Sequence, residues 1–72
     1  MTTEEFQRIE KYRNVKKGQR ITFVREGQTY TRKVQCVYVC EFNENVYHFV
    51  INRIGSGTGY SNVEPQDVLS VK

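Results

Sequence analysis

The sequence predicts a mainly β domain, and three observations carry that prediction. Val, Ile, Thr, Phe and Tyr supply 29 of the 72 residues, whereas Leu, Ala and Met together supply two. Branched and aromatic side chains suit a pleated, half-buried surface better than a helix. From residue 19 onward the apolar residues recur with a period of two, the spacing of a strand. Turn-forming stretches then divide this pattern at Gly27, at 43–45, at 55–59 and at Pro65. A chain of this length makes one small domain, 1–72, and buries only about 60% of its unfolded surface, so its core is modest.

The one helical signal lies at the start. Thr2, Thr3, Glu4 and Glu5 form a capping-box pattern, and Phe6, Ile9 and Tyr12 recur at spacing three. A short helix or turn over residues 3–13 would lay this stripe on the sheet and leave Arg8 and Lys11 outside. A first strand follows at 19–25, with Ile21 and Phe23 facing inward. Glu26, Gly27 and Gln28 make the turn, Gly27 being free to take a positive φ. A long strand spans 29–42. Straight, it would measure roughly 45 Å at about 3.3 Å per residue, more than so small a domain is wide, so it must bend. Val34, Cys36, Tyr38, Cys40 and Phe42 share one parity of this strand and Val37 and Val39 the other. Its middle is therefore expected to be the buried centre of the sheet. A hairpin loop at 43–45, a third strand at 46–53, a glycine connector at 55–59, a tight helical turn at 63–67 and a last strand at 68–71 complete the chain.

Two stretches carry a resemblance to a known fold. VKKGQRI at residues 15–21 is similar to the first-strand approach of many SH3-like barrels, and EPQDV at 64–68 is similar to the 3₁₀ turn before their last strand. The resemblance covers residues 15–72 and implies a small SH3-like barrel of about five strands, with a short N-terminal helix or turn and a 3₁₀ turn before the last strand. In size and character the chain also resembles small SH3-like proteins of bacterial prophages, the YorP-like proteins, whose function is not established. It departs from peptide-binding SH3 domains in having no Trp and no acidic loop beside an aromatic doublet. Proline-rich peptides are therefore not the expected ligand.

The net charge is only +3, but it is polarised. Nine of the eleven basic residues lie between 8 and 33 with only Glu10 and Glu26 as acids, so that segment carries +7, and each flank carries −2. Such a face attracts anionic partners. Arg20, Arg25, Arg32 and Lys33 around Tyr30 are the candidate contacts, with Tyr47 and Tyr60 as further aromatics: cations neutralise phosphates, and tyrosine rings offer bases a stacking platform. The expected function is a small, non-enzymatic, monomeric binding module whose anionic partner is nucleic acid. The alternative is a protein–protein interaction module, a phage or prophage accessory protein, that binds an acidic host protein surface. Solvation of a sheet's outer face by Lys and Arg is the competing account of the same charges.

No residue pattern points to catalysis, a metal or a cofactor. Cys36 and Cys40, four apart on a strand, stand about 13 Å apart, beyond the roughly 7 Å a disulfide allows, and are expected to be reduced core thiols. With His48 they make three ligands where structural zinc takes four. His48 has no nucleophile near it in sequence, and GSGTG at 55–59 lacks the Lys-Ser/Thr and the following helix of a phosphate loop. The longest apolar run, at 36–40, is far short of a membrane span, and the N-terminus lacks the features of a signal peptide. A cytoplasmic protein with no membrane association and no small-molecule substrate is expected.

Overall fold

The computed structural model describes residues 2–72 as a mainly β structure with one α-helix. Helix α1 (Thr3–Lys11) precedes strands β1 (Arg20–Arg25), β2 (Gln28–Lys33), β3 (Cys36–Val39), β4 (Tyr47–Asn52) and β5 (Tyr60–Val63). A one-turn 3₁₀ helix (Pro65–Asp67) then leads into β6 (Val68–Val71). The strands form two three-stranded antiparallel sheets, ordered β2-β1-β6 and β3-β4-β5. Glu26 and Gly27 close the β1–β2 hairpin with φ of 51° and 76°. Two successive positive φ values match the twist of a two-residue hairpin.

The expected long strand does bend, and the bend divides it. The molecule measures 33 Å along its longest axis, too short for 14 extended residues. At Val34 the chain leaves the first sheet: the Val34 N–H donates to the Gln19 carbonyl at 2.8 Å and the Val34 carbonyl accepts from Gly18 N–H at 3.0 Å. One residue later the Gln35 N–H donates to the Val50 carbonyl of β4 at 2.8 Å. The chain thus runs as β2 in one sheet and β3 in the other, and there are six strands where the sequence pattern reads four and the resemblance implies about five. The sixth, β5, lies mostly between the expected connector and turn, over residues that the sequence reading left unassigned; the Arg53 N–H to Gly59 carbonyl bond at 3.1 Å closes its hairpin with β4.

The core lies between the sheets and is built from Ile21, Phe23, Val34, Tyr47, Phe49, Ile51, Val63 and Val68, with Tyr12 from the end of the helix. This corrects the expectation that residues 36–40 form the buried centre. Tyr38 is 58% exposed, Val39 51% and Phe42 90%. Cys36 is exposed and Cys40 half-buried, both as free thiols rather than core residues. The reason is positional. After the bend, Val37 and Val39 oppose buried Phe49 and Tyr47, so Cys36 and Tyr38 take the solvent face; because β3 is an edge strand with β4 as its one ladder partner, Val37 packs on the core but Val39 stays half-uncovered.

The capping box at Thr2 and Glu5 forms as expected. Helix α1 is held mainly by polar tethers. Ile9 packs against the core and Tyr12 is buried, but Phe6 is 57% exposed. Arg8, expected outside, is half-buried and donates to the Gln66 carbonyl at 2.9 Å. The Tyr12 hydroxyl donates to the Leu69 carbonyl at 3.0 Å, and the Tyr47 hydroxyl from β4 donates to the Ile9 carbonyl at 2.6 Å. Burial pushes the Tyr47 phenol up to about 12, with the Arg13 charge opposing and the Glu10 charge adding to the shift.

Two predictions follow from this packing. Phe49→Ala removes a fully buried ring at the centre of β4 and costs about 3–5 kcal/mol in urea unfolding, whereas Tyr38→Ala, losing mostly a cross-strand contact, costs under about 1 kcal/mol. Equal losses would show that the core is misplaced. The second concerns alkaline pH. Tyr47 ionises less readily folded than unfolded, so its contribution to stability is intact below pH 10 and is lost as pH rises toward 12. Tyr47→Phe therefore flattens the fall of the urea midpoint over that window, at a cost of about 1 kcal/mol at neutral pH.

Candidate anion-binding surface

Alternation along β1 sorts the candidate residues by face. Ile21 and Phe23 are fully buried, so Arg20, Thr22 and Val24 point outward. Residues directly opposite in a ladder share a face. Lys33 therefore stands beside Arg20, Thr31 beside Thr22, and Thr29 beside Val24. On the other side Ser70 opposes Thr22, and Lys72 exchanges both backbone hydrogen bonds with Arg20, at 3.1 and 2.8 Å. The outer face of this sheet carries a cationic row, Lys33–Arg20–Lys72, with neighbouring strands about 5 Å apart. Next to it runs a hydroxyl row, Thr31–Thr22–Ser70, whose two threonines hydrogen-bond at 2.9 Å.

The turn at 16–19 adds to this row. The Gln19 N–H donates to the Lys16 carbonyl at 3.2 Å, the Gln19 amide oxygen accepts from the Lys16 N–H at 2.8 Å, and Gly18 at φ 98° supplies the left-handed corner. Gly18 and Gln19 are bonded to Val34 at the end of β2. Lys16 and Lys17, both exposed, are therefore fixed beside the end of the sheet that bears Arg20 and Lys33. Among the described residues the ion pair is Arg13–Glu10 at 3.1 Å, so these lysines and Arg20 keep no carboxylate within ion-pair distance.

Arg25, Tyr30 and Arg32 lie on the opposite side of the same sheet. Tyr30 opposes Phe23 and stacks on it at 5.8 Å between ring centroids, while its hydroxyl donates to Gln28 at 2.9 Å. The Arg32 guanidinium sits 5.5 Å from the Tyr30 ring centre and donates to the Thr31 carbonyl at 2.9 Å. The Arg25 guanidinium donates to the Asn62 carbonyl and so bridges β1 to β5 of the other sheet. The five candidates thus divide: Arg20 and Lys33 share the open outer face, and Arg25, Tyr30 and Arg32 form a separate group with intramolecular partners. Tyr47 is enclosed beneath the helix, and Tyr60 is 70% exposed on β5, opposite Asn52.

Sequence reasoning missed three features. Lys72 joins the row only through the β1–β6 pairing. Tyr38 and His48, opposite one another on β3 and β4, stack at 5.0 Å with 19° between ring planes on the solvent face of the second sheet. A groove of about 420 Å³ separates the 13–17 segment from Cys36 and Val37. The signal for the stacked pair was present in the alternation of both strands but needed their register. Among the described residues no cluster of three His, Cys, Asp or Glu side chains is placed to hold a metal ion, and no helix is long and apolar enough to cross a membrane. Compared with known proteins, the chain matches no family model, no curated protein and no solved structure.

Proposed function

We propose that this protein is a non-enzymatic binding module, an SH3-like barrel in architecture, whose basic face engages single-stranded nucleic acid. The observation that supports the reading is the row Lys33–Arg20–Lys72, extended by Lys16 and Lys17 and bordered by three hydroxyls, on a sheet face whose ladder positions hold no acid. Lys and Arg with Ser and Thr are the side chains that contact phosphate oxygens, and such contacts position a strand without reading its sequence. The fold reading draws on the strand that bends from one sheet to the other and on the 3₁₀ turn before the last strand. Tyr30 and Arg32 form a second basic and aromatic pair on the edge strand β2 of the same sheet, available to a strand that passes around that edge.

The reading predicts micromolar binding of a labelled single-stranded DNA or RNA at about 20 mM salt, followed by fluorescence anisotropy. Log affinity falls by about 0.7 per log unit of salt for each phosphate contact. Changing Lys17, Arg20 and Lys33 together to Gln reduces that slope by about 2 and leaves the melting temperature nearly unchanged, because exposed charges contribute little to folding. Arg25→Gln instead lowers stability, through loss of the bridge to Asn62, and changes the slope less. Absence of binding to any single strand at low salt would overturn the nucleic-acid reading in favour of an acidic protein surface.

A further inference from the structure

The groove beside Cys36 joins two features that lie on different sheets. One wall is the 13–17 segment and the other is the start of β3, with Val15, Cys36 and Val37 giving apolar surface and Asn14 an amide with both donors and an acceptor. Its rim is cationic. Arg13 is engaged by Glu10 and Asn45, at 3.1 and 2.8 Å, which leaves Lys16 and Lys17 to face an incoming anion. The same two lysines stand beside Arg20 and Lys33, because the 16–19 turn is bonded to Val34. At the other end of the groove, Cys36 shares its face of β3 with Tyr38, roughly 7 Å along the strand. Tyr38 is stacked on His48 and open to solvent over more than half its surface.

Lys16, Lys17 and Cys36 line one groove, and Tyr38 lies two residues further along the face of β3 that Cys36 shares. We propose that the groove seats one unpaired nucleotide of the bound strand, its base against Val15, Cys36 and Val37 and its phosphate facing Lys16 and Lys17, and that the next base stacks on Tyr38. The proposal rests on the nucleic-acid reading and deepens it by naming where a base, rather than a phosphate, is held. Apolar walls beneath a charged rim suit a nucleotide, which is amphipathic in the same sense, and stacking accepts any base because every base has a π face. The route also explains how a strand anchored on the outer face of one sheet reaches the solvent face of the other: it turns at the bend where the two sheets exchange the chain.

Cys36 is itself the probe. Its alkylation by iodoacetamide is followed by peptide mass spectrometry on the unmodified sequence, with Cys40 read separately, in the presence and absence of saturating ten-nucleotide oligo(dT). Protection of Cys36 by at least five-fold is expected. An abasic strand of the same length carries the same phosphates and is expected to bind at least ten-fold more weakly, with less than two-fold protection. Tyr38→Ala is expected to weaken oligo(dT) binding by about ten-fold without changing the salt slope, since stacking releases no counterions. Salt-dependent oligo(dT) binding with Cys36 alkylated at its free rate would overturn the groove while leaving the proposed function intact. Equal affinity and protection by the abasic strand would overturn the seating of a base. Absence of oligo(dT) binding would overturn both.

Discussion

The bend at Val34 is the constraint on which the remaining structure depends. Its N–H and carbonyl are bonded to Gln19 and Gly18, its side chain is fully buried, and the next residue is already bonded to the other sheet. A strand too long for the molecule is divided there into two shorter ones, and each continues with its own partners. The division fixes which side chains of β2 and β3 face the core. It also brings the 16–19 turn against the end of β2, and so decides where Lys16 and Lys17 stand.

The core that results is small and nearly all β-branched or aromatic, as the composition implies. Phe23, Phe49, Ile21, Ile51, Val34, Val63 and Val68 are its fully buried side chains, drawn from both sheets. With so little apolar surface to bury, the helix is attached largely by hydrogen bonds between long polar side chains and main-chain carbonyls. This leaves Phe6 outside and explains why the apolar stripe of α1 is only partly used.

The sequence made the mainly β class, the capped helix, the β1–β2 turn at Gly27 and the 3₁₀ turn at Pro65 legible, because each depends on residues close together in the chain. The need for a bend was legible too, from length alone, though not the residue at which it occurs. What escaped depends on pairing. The run at 36–40 reads as core by hydropathy, yet β3 is an edge strand, and no local pattern distinguishes an edge from a centre. Tyr60 to Val63 pairs with Phe49 to Asn52, but offers too few strand-forming residues to stand out beside the glycines. For the same reason the basic candidates could be counted but not sorted: Arg20 and Arg25 lie on one short strand, and only the alternation anchored by buried Ile21 and Phe23 shows that they face opposite ways.

The tethers of the helix have a bearing on how the chain tolerates change. Each of the three acceptors is a main-chain carbonyl, at Ile9, Gln66 and Leu69, and every residue type provides one. The hydrogen bonds that tie α1 to its neighbours therefore depend on three donor side chains, Arg8, Tyr12 and Tyr47, and not on the side chains of the residues that accept them. A change of side chain at Gln66 or Leu69 leaves the acceptor of each of these hydrogen bonds in place. Loss of a donor, by contrast, removes its tether outright, whichever residue carries the carbonyl.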